Sequence, residues 1–325
     1  MKIIFMGTPD FAVQTLEALI GAGHQVVLVV TQPDKPKGRG NKVQFSAVKT
    51  AALAQGLEVY QPKRIREPEC IAHLRTFDAD VMVVAAFGQI LPKEILEMTA
   101  YGCINVHASL LPKYRGASPI QWAVMNGEQT TGVTIQQMDT GIDTGDLLAK
   151  TEVPLAEDET GGSLFEKLAR AGAALCVQTL SRIQDGTVTR TKQDETQATH
   201  VRMIQKQMGK IDWTKSAVQI ERLIRGLNPW PSAFTSIHGK TLKIWKAAVV
   251  AGGDPAQAGQ IVAADQHRLI VQTGEGRLLL LEVQLEGKKR MAADAFLRGY
   301  PAEAGQRLGD TKTAPDDAQP DNSRA

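Results

Sequence analysis

Two side chains that can do chemistry, Asn105 and His107, end a short apolar run, GCINVH at 102–107, that predicts a β-strand. Residues two apart on a strand point to the same side of a sheet, so the amide and the imidazole should project together. Asp143 follows in a glycine-punctuated loop, DTGIDTGD at 139–146. An amide, an imidazole and a carboxylate brought together can bind an oxyanion and move a proton.

Each of these elements has an ordinary structural explanation when it is taken alone. A single histidine near a strand end is more often a packed or surface residue, and Asp-Thr-Gly is a common turn. The combination is more specific, because Asn-x-His is followed at once by SLLPKYRG at 109–116 and later by the acidic loop. The combination, rather than the histidine, therefore carries the interpretation.

The first 180 or so residues alternate strand and helix patterns that would position these groups. Apolar runs at 3–6, 26–30, 81–86 and 102–107 predict buried parallel strands, with amphipathic helices between them. This alternation predicts an α/β fold with a doubly wound, mostly parallel, Rossmann-like sheet. Such a sheet binds its ligand at the carboxyl ends of its strands.

The pattern changes after a polar, threonine-rich segment at 186–200. Five short β-like runs between 233 and 283, separated by turn signals, predict a C-terminal OB-like β-barrel. We therefore predict a catalytic domain at 1–188, a linker at 189–208, a β-barrel domain at 209–308 and a disordered tail at 309–325. Trp230 and Trp245 are predicted to be core residues of the second domain.

Several classes of function lack their sequence signature. The first turn, Gly7-Thr8-Pro9-Asp10, has one glycine where a dinucleotide-binding turn needs GxGxxG, and no GxxxxGK[ST] loop is present. The three cysteines stand far apart, so we expect neither a disulfide framework nor a metal site. No apolar run is long enough to span a membrane and no signal peptide is evident. We expect a cytoplasmic monomer.

Charge is unevenly distributed, although the net charge is only +2. Residues 1–200 carry a net charge of −3, whereas residues 201–300 carry +7. A basic second domain favours a polyanionic partner such as a nucleic acid. On charge alone, a solvated surface with a modest excess of lysine explains the pattern equally well.

The sequence resembles the folate-dependent formyltransferase family over nearly its whole length. The matching segments are GTPDFA (7–12), TQPDKPKGRG (31–40), AFGQILP (86–92), NVHASLLPKYRGASPIQ (105–121), GVTIQQMDTGIDTGD (132–146), KIDW (210–213) and NPWPSAF (228–234). Ala108 stands where the family commonly has proline or glycine, which changes little because this side chain is not expected to react. The resemblance implies 10-formyltetrahydrofolate as the formyl donor, and Asn105, His107 and Asp143 as the catalytic residues.

The chemistry agrees with these implied roles. Formyl transfer to an amine passes through a tetrahedral intermediate, and one well-placed donor to its oxyanion contributes about 3–4 kcal/mol. Asn105 and a protonated His107 would supply such donors, and Asp143 would hold the histidine protonated, order a water and relay the proton. The resemblance also implies a folate pocket formed by Phe87, Gly88, Gln89, Ile90, Leu91, Ser109, Leu110, Leu111, Pro112 and Asp139. For one of the two leucines at 110–111, plain core packing explains the residue nearly as well.

The acceptor is a separate question, because the family uses several amines. The resemblance is strongest to members that act on initiator methionyl-tRNA, and it places a functional arginine of the flexible basic loop at 33–42 on Arg39. Predicted contacts with the tRNA are Lys35, Lys37, Arg39, Lys42, Lys206 and Lys210. The alternatives are a formyltransferase for an amino sugar nucleotide and a catalytically inactive RNA-binding protein. The intact Asn/His/Asp set argues against the inactive protein.

Overall fold

The computed structural model describes residues 1–37, 42–265, 267–300 and 302–309, with the backbone alone at 36, 37, 42 and 256. It divides into two compact units. The first comprises Met1–Ala123 and Gly127–Met203, and the second comprises Val124–Asn126 and the chain from Ile204. None of the helices in the described part of the chain has the length and apolar character needed to cross a membrane.

The first unit is built on a β-sheet. The strands described up to residue 203 are β1 (Lys2–Gly7), β2 (Gln25–Val30), β3 (Lys35–Lys37), β4 (Lys42–Gln44), β5 (Val59–Tyr60), β6 (Val81–Ala85), β7 (Cys103–His107), β8 (Arg115–Gly116), β9 (Thr130–Gln137), β10 (Leu147–Pro154) and β11 (His200–Val201). Within the described residues, seven of them form the main sheet, in the order β10-β9-β7-β6-β1-β2-β5. Strands β5, β2, β1, β6 and β7 pair in parallel, whereas β9 is antiparallel to β7 and β10 to β9. The prediction of a mostly parallel α/β sheet is therefore confirmed.

The helices between these strands are α1 (Asp10–Gly21), α2 (Ala47–Ala54), α3 (Pro68–Arg75), α4 (Lys93–Leu96), α5 (Pro119–Asn126) and α6 (Gly161–Gln184). Helix α6 begins at a capping box. The Thr160 hydroxyl accepts from the Ser163 backbone N–H, and the Ser163 hydroxyl accepts from the Thr160 backbone N–H. Its Gly172 lies so close to the sheet that an added Cβ would stand 2.8 Å from Val106. Because residue 172 is a glycine, α6 can pack closely against β7 and β9, the two strands that carry the candidate site.

The segment predicted as a linker contributes strand β11 to the first unit. Thr191 exchanges backbone hydrogen bonds with Leu147, and β11 pairs in parallel with β8. The first unit therefore extends through most of 189–208. The domain boundaries at 188 and 208 stay predictions.

In the second unit, helix α7 (Ala217–Gly226) precedes an antiparallel sheet, and α8 (Ala293–Gly299) follows it. The strands are β12 (Ala233–Ile237), β13 (Lys240–Val250), β14 (Ile261–Ala264), β15 (Leu269–Gln272), β16 (Arg277–Leu285) and β17 (Met291–Ala292). Five follow the order β12-β13-β16-β15-β14, and β17 also pairs with β16. The antiparallel β-domain is confirmed. The pairings of the described residues form an open path, so closure into a barrel stays a prediction.

Two further predictions concern this part of the chain. Trp230 is 61% exposed, so its assignment to the core is wrong. It lies in the turn between α7 and β12, where the chain passes over the surface of the unit. The predicted disordered tail, apart from Gly309, lies outside the described residues.

Candidate active site

The site is built where β7 and β9 lie side by side. Asn105 is directly opposite Gln136 in the register of the two strands, and His107 is opposite Thr134. Residues opposite each other on an antiparallel pair share a face, so these four side chains occupy one side of the sheet. Asn105 and His107 therefore lie on the same face of the sheet, as the sequence predicts.

His107 is held between a carbonyl and a carboxylate, and it is only 7% exposed. Its Nε2 lies 3.0 Å from the Tyr114 carbonyl oxygen, and its Nδ1 lies 3.5 Å from Asp143 Oδ1. Because a carbonyl can only accept, Nε2 carries a hydrogen. The imidazole is therefore held at both nitrogens, with one on a backbone carbonyl and the other facing the Asp143 carboxylate.

The Asp143 carboxylate is fixed by two further donors. Gln136 Nε2 donates to Oδ1 and the Gly116 backbone N–H donates to Oδ2, each over 2.8 Å. The sequence interpretation missed Gln136, whose place opposite Asn105 is set by the pairing of β7 with β9. Its Oε1 is buried and has no hydrogen-bond partner among the described residues. The site thus contains one unused acceptor beside the carboxylate.

Close backbone approaches shape the loop that carries Asp143. Asp143 has φ +56°, in the left-handed region that few non-glycine residues adopt. A Cβ added at Gly145 would stand 1.8 Å from the Gln137 carbonyl oxygen, so only glycine fits there. Asp139, predicted to line the folate pocket, is exposed, and its carboxylate accepts from Gly141 N and Thr144 Oγ1. Its side chain organises the loop from within.

The turn after His107 is tied to β9 through Thr134. The Thr134 hydroxyl donates to the Ser109 carbonyl over 2.7 Å and accepts from Leu111 N over 3.1 Å. Ser109 and Leu111 are completely buried, whereas Leu110 and Pro112 are half-buried. Within the pair at 110–111, Leu111 therefore has a core role, and Leu110 keeps surface to offer a ligand.

The predicted folate residues after β6 also fall into a buried set and an exposed set. Phe87 and Leu91 are almost completely buried and pack in the core of the sheet, whereas Ile90 is 77% exposed. Gln89 holds the loop to 62–65, since its amide accepts from Ile65 N and donates to the Pro62 carbonyl. The Phe87 carbonyl accepts from Thr8 and Gln32. The exposed parts of this segment are Gly88, the half-buried Gln89 and Ile90.

The basic loop at 33–42 begins and ends as a ribbon, since β3 pairs antiparallel with β4. Lys35 is exposed, whereas Arg39 and the side chains of Lys37 and Lys42 lie outside the described residues. Lys49 anchors the base, where it pairs with Asp34 over 2.5 Å and lies over the Phe45 ring at 3.9 Å. Hydrogen bonds from Lys49 and Gln61 lower the pKa of Asp34.

The remaining predicted tRNA contacts lie outside the basic loop. Lys206 and Lys210 are exposed, and they belong to the second unit. Among the described residues, no group of three or more His, Cys, Asp or Glu side chains is arranged to hold a metal ion. Of the predicted residues, the structure joins His107 directly to Asp143, with Asn105 on the same face two positions earlier in the strand.

Comparisons with known proteins give one consistent family. The family model described as formyl transferase matches residues 1–180, and the model for the formyl transferase C-terminal domain matches 203–301. A methionyl-tRNA formyltransferase of Agathobacter rectalis is 61% identical over 94% of this chain and 98% of its own. One of Geobacter metallireducens is 48% identical over 95% and 99% of the two chains.

Solved structures share the fold at lower identity. An N-formyltransferase of Helicobacter canadensis, in complex with folinic acid and dTDP-3-aminofucose, is 20% identical with a TM-score of 0.62, covering 86% of this chain and 98% of that one. HypX of Aquifex aeolicus, in complex with tetrahydrofolic acid, is 15% identical with a TM-score of 0.59, covering 95% and 50% of the two chains. These likenesses concern the fold.

Proposed function

Because this chain belongs to the formyl transferase family, we propose that it transfers a formyl group from 10-formyltetrahydrofolate to the amino group of initiator methionyl-tRNA. Asn105, His107 and Asp143 carry the reaction in this proposal. Its acceptor rests on methionyl-tRNA formyltransferases that match nearly the whole chain. Its residue roles rest on one observation, which is the Tyr114–His107–Asp143 arrangement at the end of β7.

Stabilisation of negative charge is the first role. Among the described residues, the half-buried Asn105 amide has no hydrogen-bond partner, so its N–H groups are available to a substrate oxygen. His107 lies beside it in a nearly water-free position and, in this proposal, becomes the second donor by exchanging one of its two present ring contacts for the substrate oxygen. Donors fixed in advance in such surroundings act strongly on the charge that develops during acyl transfer. Asn105 and His107 would therefore stabilise the formyl oxygen as the amine attacks its carbon.

Proton movement is the second role. The attacking amine loses a proton as its new bond to the formyl carbon forms, and N10 of the folate gains one as its bond to that carbon breaks. Asp143 accepts the first proton, directly or through a water, and the His107–Asp143 pair returns a proton to N10. The two donors to Asp143, Gln136 and Gly116 N, keep its carboxylate aimed at His107 throughout.

The donor's pterin and N10 are proposed to lie beside the loops at 87–91, 109–112 and 139–143. The fit is supported by unused polar groups at this edge, namely the Asn105 amide and the buried Gln136 Oε1. Exposed apolar surface is present as well, because Ile90 and Ile142 are 77% and 62% exposed. An amphipathic bicyclic ring needs both kinds of surface.

We propose that the basic loop at 33–42, with Lys35, Lys37, Arg39 and Lys42, contacts the acceptor end of the tRNA. Lys206 and Lys210 of the second unit are proposed as phosphate contacts. The base of the basic loop is anchored by the Lys49–Asp34 ion pair and by the Phe45 ring under Lys49. This anchor would let the loop present its cations without disturbing the sheet. Contacts of this kind position the tRNA more than they read its bases.

The cysteines bear on the cellular compartment of the protein. Cys70, Cys103 and Cys176 are free and buried, which suits the reducing cytoplasm, where thiols are retained. We propose a cytoplasmic enzyme that acts as a monomer. Gel filtration with light scattering would test the monomer directly.

One assay tests the function. Purified protein is mixed with 10-formyltetrahydrofolate and either initiator methionyl-tRNA or an amino sugar nucleotide, and the formylated product is measured. We expect formylation of the tRNA alone. Formylation of the sugar nucleotide would identify the other acceptor class, and RNA binding without any transfer would identify an inactive binding protein.

A further inference from the structure

Segment 191–201 braces both loops of the candidate site, although its sequence predicts a linker. Thr191 pairs with Leu147 beyond the Asp143 loop, and β11 pairs with β8, whose Gly116 donates to Asp143. The contact with β8 is close, because an added Cβ at Gly116 would stand 2.6 Å from the Val201 carbonyl oxygen. The segment therefore fixes the spacing between the two loops.

Gln193 is the residue through which this segment reaches the catalytic carboxylate. Its Nε2 donates to the carbonyl oxygens of Asp143 and Gly145, each over 2.8 Å. Its Oε1 accepts from Arg115 Nε over 3.1 Å and from Nη2 over 2.9 Å. The whole side-chain amide is engaged, with one end on the Asp143 loop and the other on a buried cation.

Arg115 makes this arrangement rigid. Its side chain is 2% exposed, and Glu195 accepts from Nη1 and Nη2 over 2.8 and 2.7 Å. The hydrogen bonds to Glu195 raise the pKa of Arg115, while those from Arg115 lower the pKa of Glu195. A planar guanidinium held by two acceptors leaves Gln193 little freedom to turn. Arg115 also directly follows Tyr114, whose carbonyl contacts His107.

We propose that Gln193 is a positioning residue for the formyl-transfer reaction, acting through Asp143. The Asp143 backbone has φ +56°, and Gln193 binds its carbonyl, so the glutamine holds the conformation that aims the carboxylate at His107. This inference rests on the proposed function, because its consequence is a rate of formylation. Chemical rates fall steeply with small displacements of a catalytic group.

The test compares Gln193→Ala and Gln193→Glu with Gln197→Ala in the full-length protein. Glutamate keeps acceptors for Arg115 but has no N–H for the two carbonyls, so it separates the two ends of the contact. Gln197 is the matched control, because it lies in the same segment and bonds Asp194 at the surface. Steady-state formylation of methionyl-tRNA gives kcat and both KM values, and thermal unfolding reports the fold.

Both Gln193 variants should lower kcat by about tenfold to a hundredfold, as expected for a misplaced catalytic group, and leave both KM values unchanged. Gln197→Ala should behave as the wild type. In an Asp143→Asn background, Gln193→Ala should cost little more, because two residues that act through one group are not additive.

Several results would overturn the proposal. One is a normal kcat in the Gln193→Glu variant. This variant alone tests the proposal if the Gln193→Ala variant does not fold. Another is a fall in kcat on Gln193→Ala that is as large in the Asp143→Asn background as in the wild type, which would mean that Gln193 does not act through Asp143. A wild type that does not formylate methionyl-tRNA would contradict the proposed function itself. An active wild type with unaffected Gln193 variants would contradict this inference alone.

Discussion

Replacing Asp143 by asparagine separates the charge of this side chain from the space it fills. Its two oxygens accept from Gln136 Nε2 and Gly116 N. An asparagine can keep its oxygen at Gly116 and turn its NH2 towards Gln136. Because Gln136 Oε1 has no partner, that amide can rotate by half a turn and accept the new N–H. We therefore expect the Asp143→Asn protein to fold.

For His107 the change removes an anionic partner. Its Nδ1, 3.5 Å from Asp143 Oδ1, would face an N–H donor in place of an anion. Loss of one fixed electrostatic partner in an active site costs about 3–4 kcal/mol. Since about 1.4 kcal/mol corresponds to a factor of ten in rate, kcat should fall at least about a hundredfold.

The assay is formylation of initiator methionyl-tRNA at saturating 10-formyltetrahydrofolate, with thermal unfolding run in parallel. Asp146→Asn is the matched control, because Asp146 lies in the same loop and its carboxylate has no hydrogen bond with any described residue. A near-normal kcat for Asp143→Asn, or equal losses in the two variants, would refute the reasoning. Adding Gln136→Leu blocks the rotation, so the double variant should unfold at a lower temperature than Asp143→Asn.

Four further outcomes are expected. His107→Ala removes the imidazole and should lower kcat at least about a hundredfold; turnover close to wild type would contradict its role. Gly145→Ala places a Cβ 1.8 Å from the Gln137 carbonyl oxygen, so both stability and kcat should fall, whereas Gly186→Ala, where no atom lies within 4 Å, should keep kcat. Burial alone would raise the pKa of Glu159, but hydrogen bonds from Lys167, Ser163 and Ala156 N lower this pKa overall. These bonds therefore stabilise the fold at pH values above 4.5, the ordinary pKa of a glutamate, and the stabilisation is lost as the pH falls. The difference in melting temperature between wild type and Glu159→Gln should accordingly narrow from neutral pH to about pH 4; a constant difference would exclude the linkage. Affinity for tRNA should fall steeply between about 50 and 200 mM salt if several phosphates are contacted, and a flat dependence would argue against that mode of binding.

Most of the first unit was predictable because its central strands are continuous apolar runs. Continuous apolar runs predicted β1, β2, β6 and β7, and the run at 233–237 coincides with β12. The missed elements are short or amphiphilic. Strand β10 alternates weakly, and β8 and β11 have two residues each, so no window of sequence reveals them.

The pairing of β8 with β11 also joins residues far apart in the chain, which local patterns cannot predict. Arg115 and His200 lie opposite each other across 85 positions. The threonine-rich composition around 191 suggested a linker because loops and short edge strands share polar residues. What distinguishes this segment is its set of partners, and they become visible only when the sheet has brought the loops together.

The catalytic residues and their supports differ in how strongly chemistry restricts them. Acid–base work needs an imidazole and a carboxylate, so His107 and Asp143 could be proposed from residue type and spacing. Their supports act largely through backbone groups, such as the Tyr114 carbonyl and the Gly116 N–H, which almost any residue can supply. Gln193 acts on backbone carbonyls in the same way. A search for reactive side chains therefore finds the residues that do the chemistry, whereas the residues that hold their geometry emerge only from the hydrogen bonds of the folded chain.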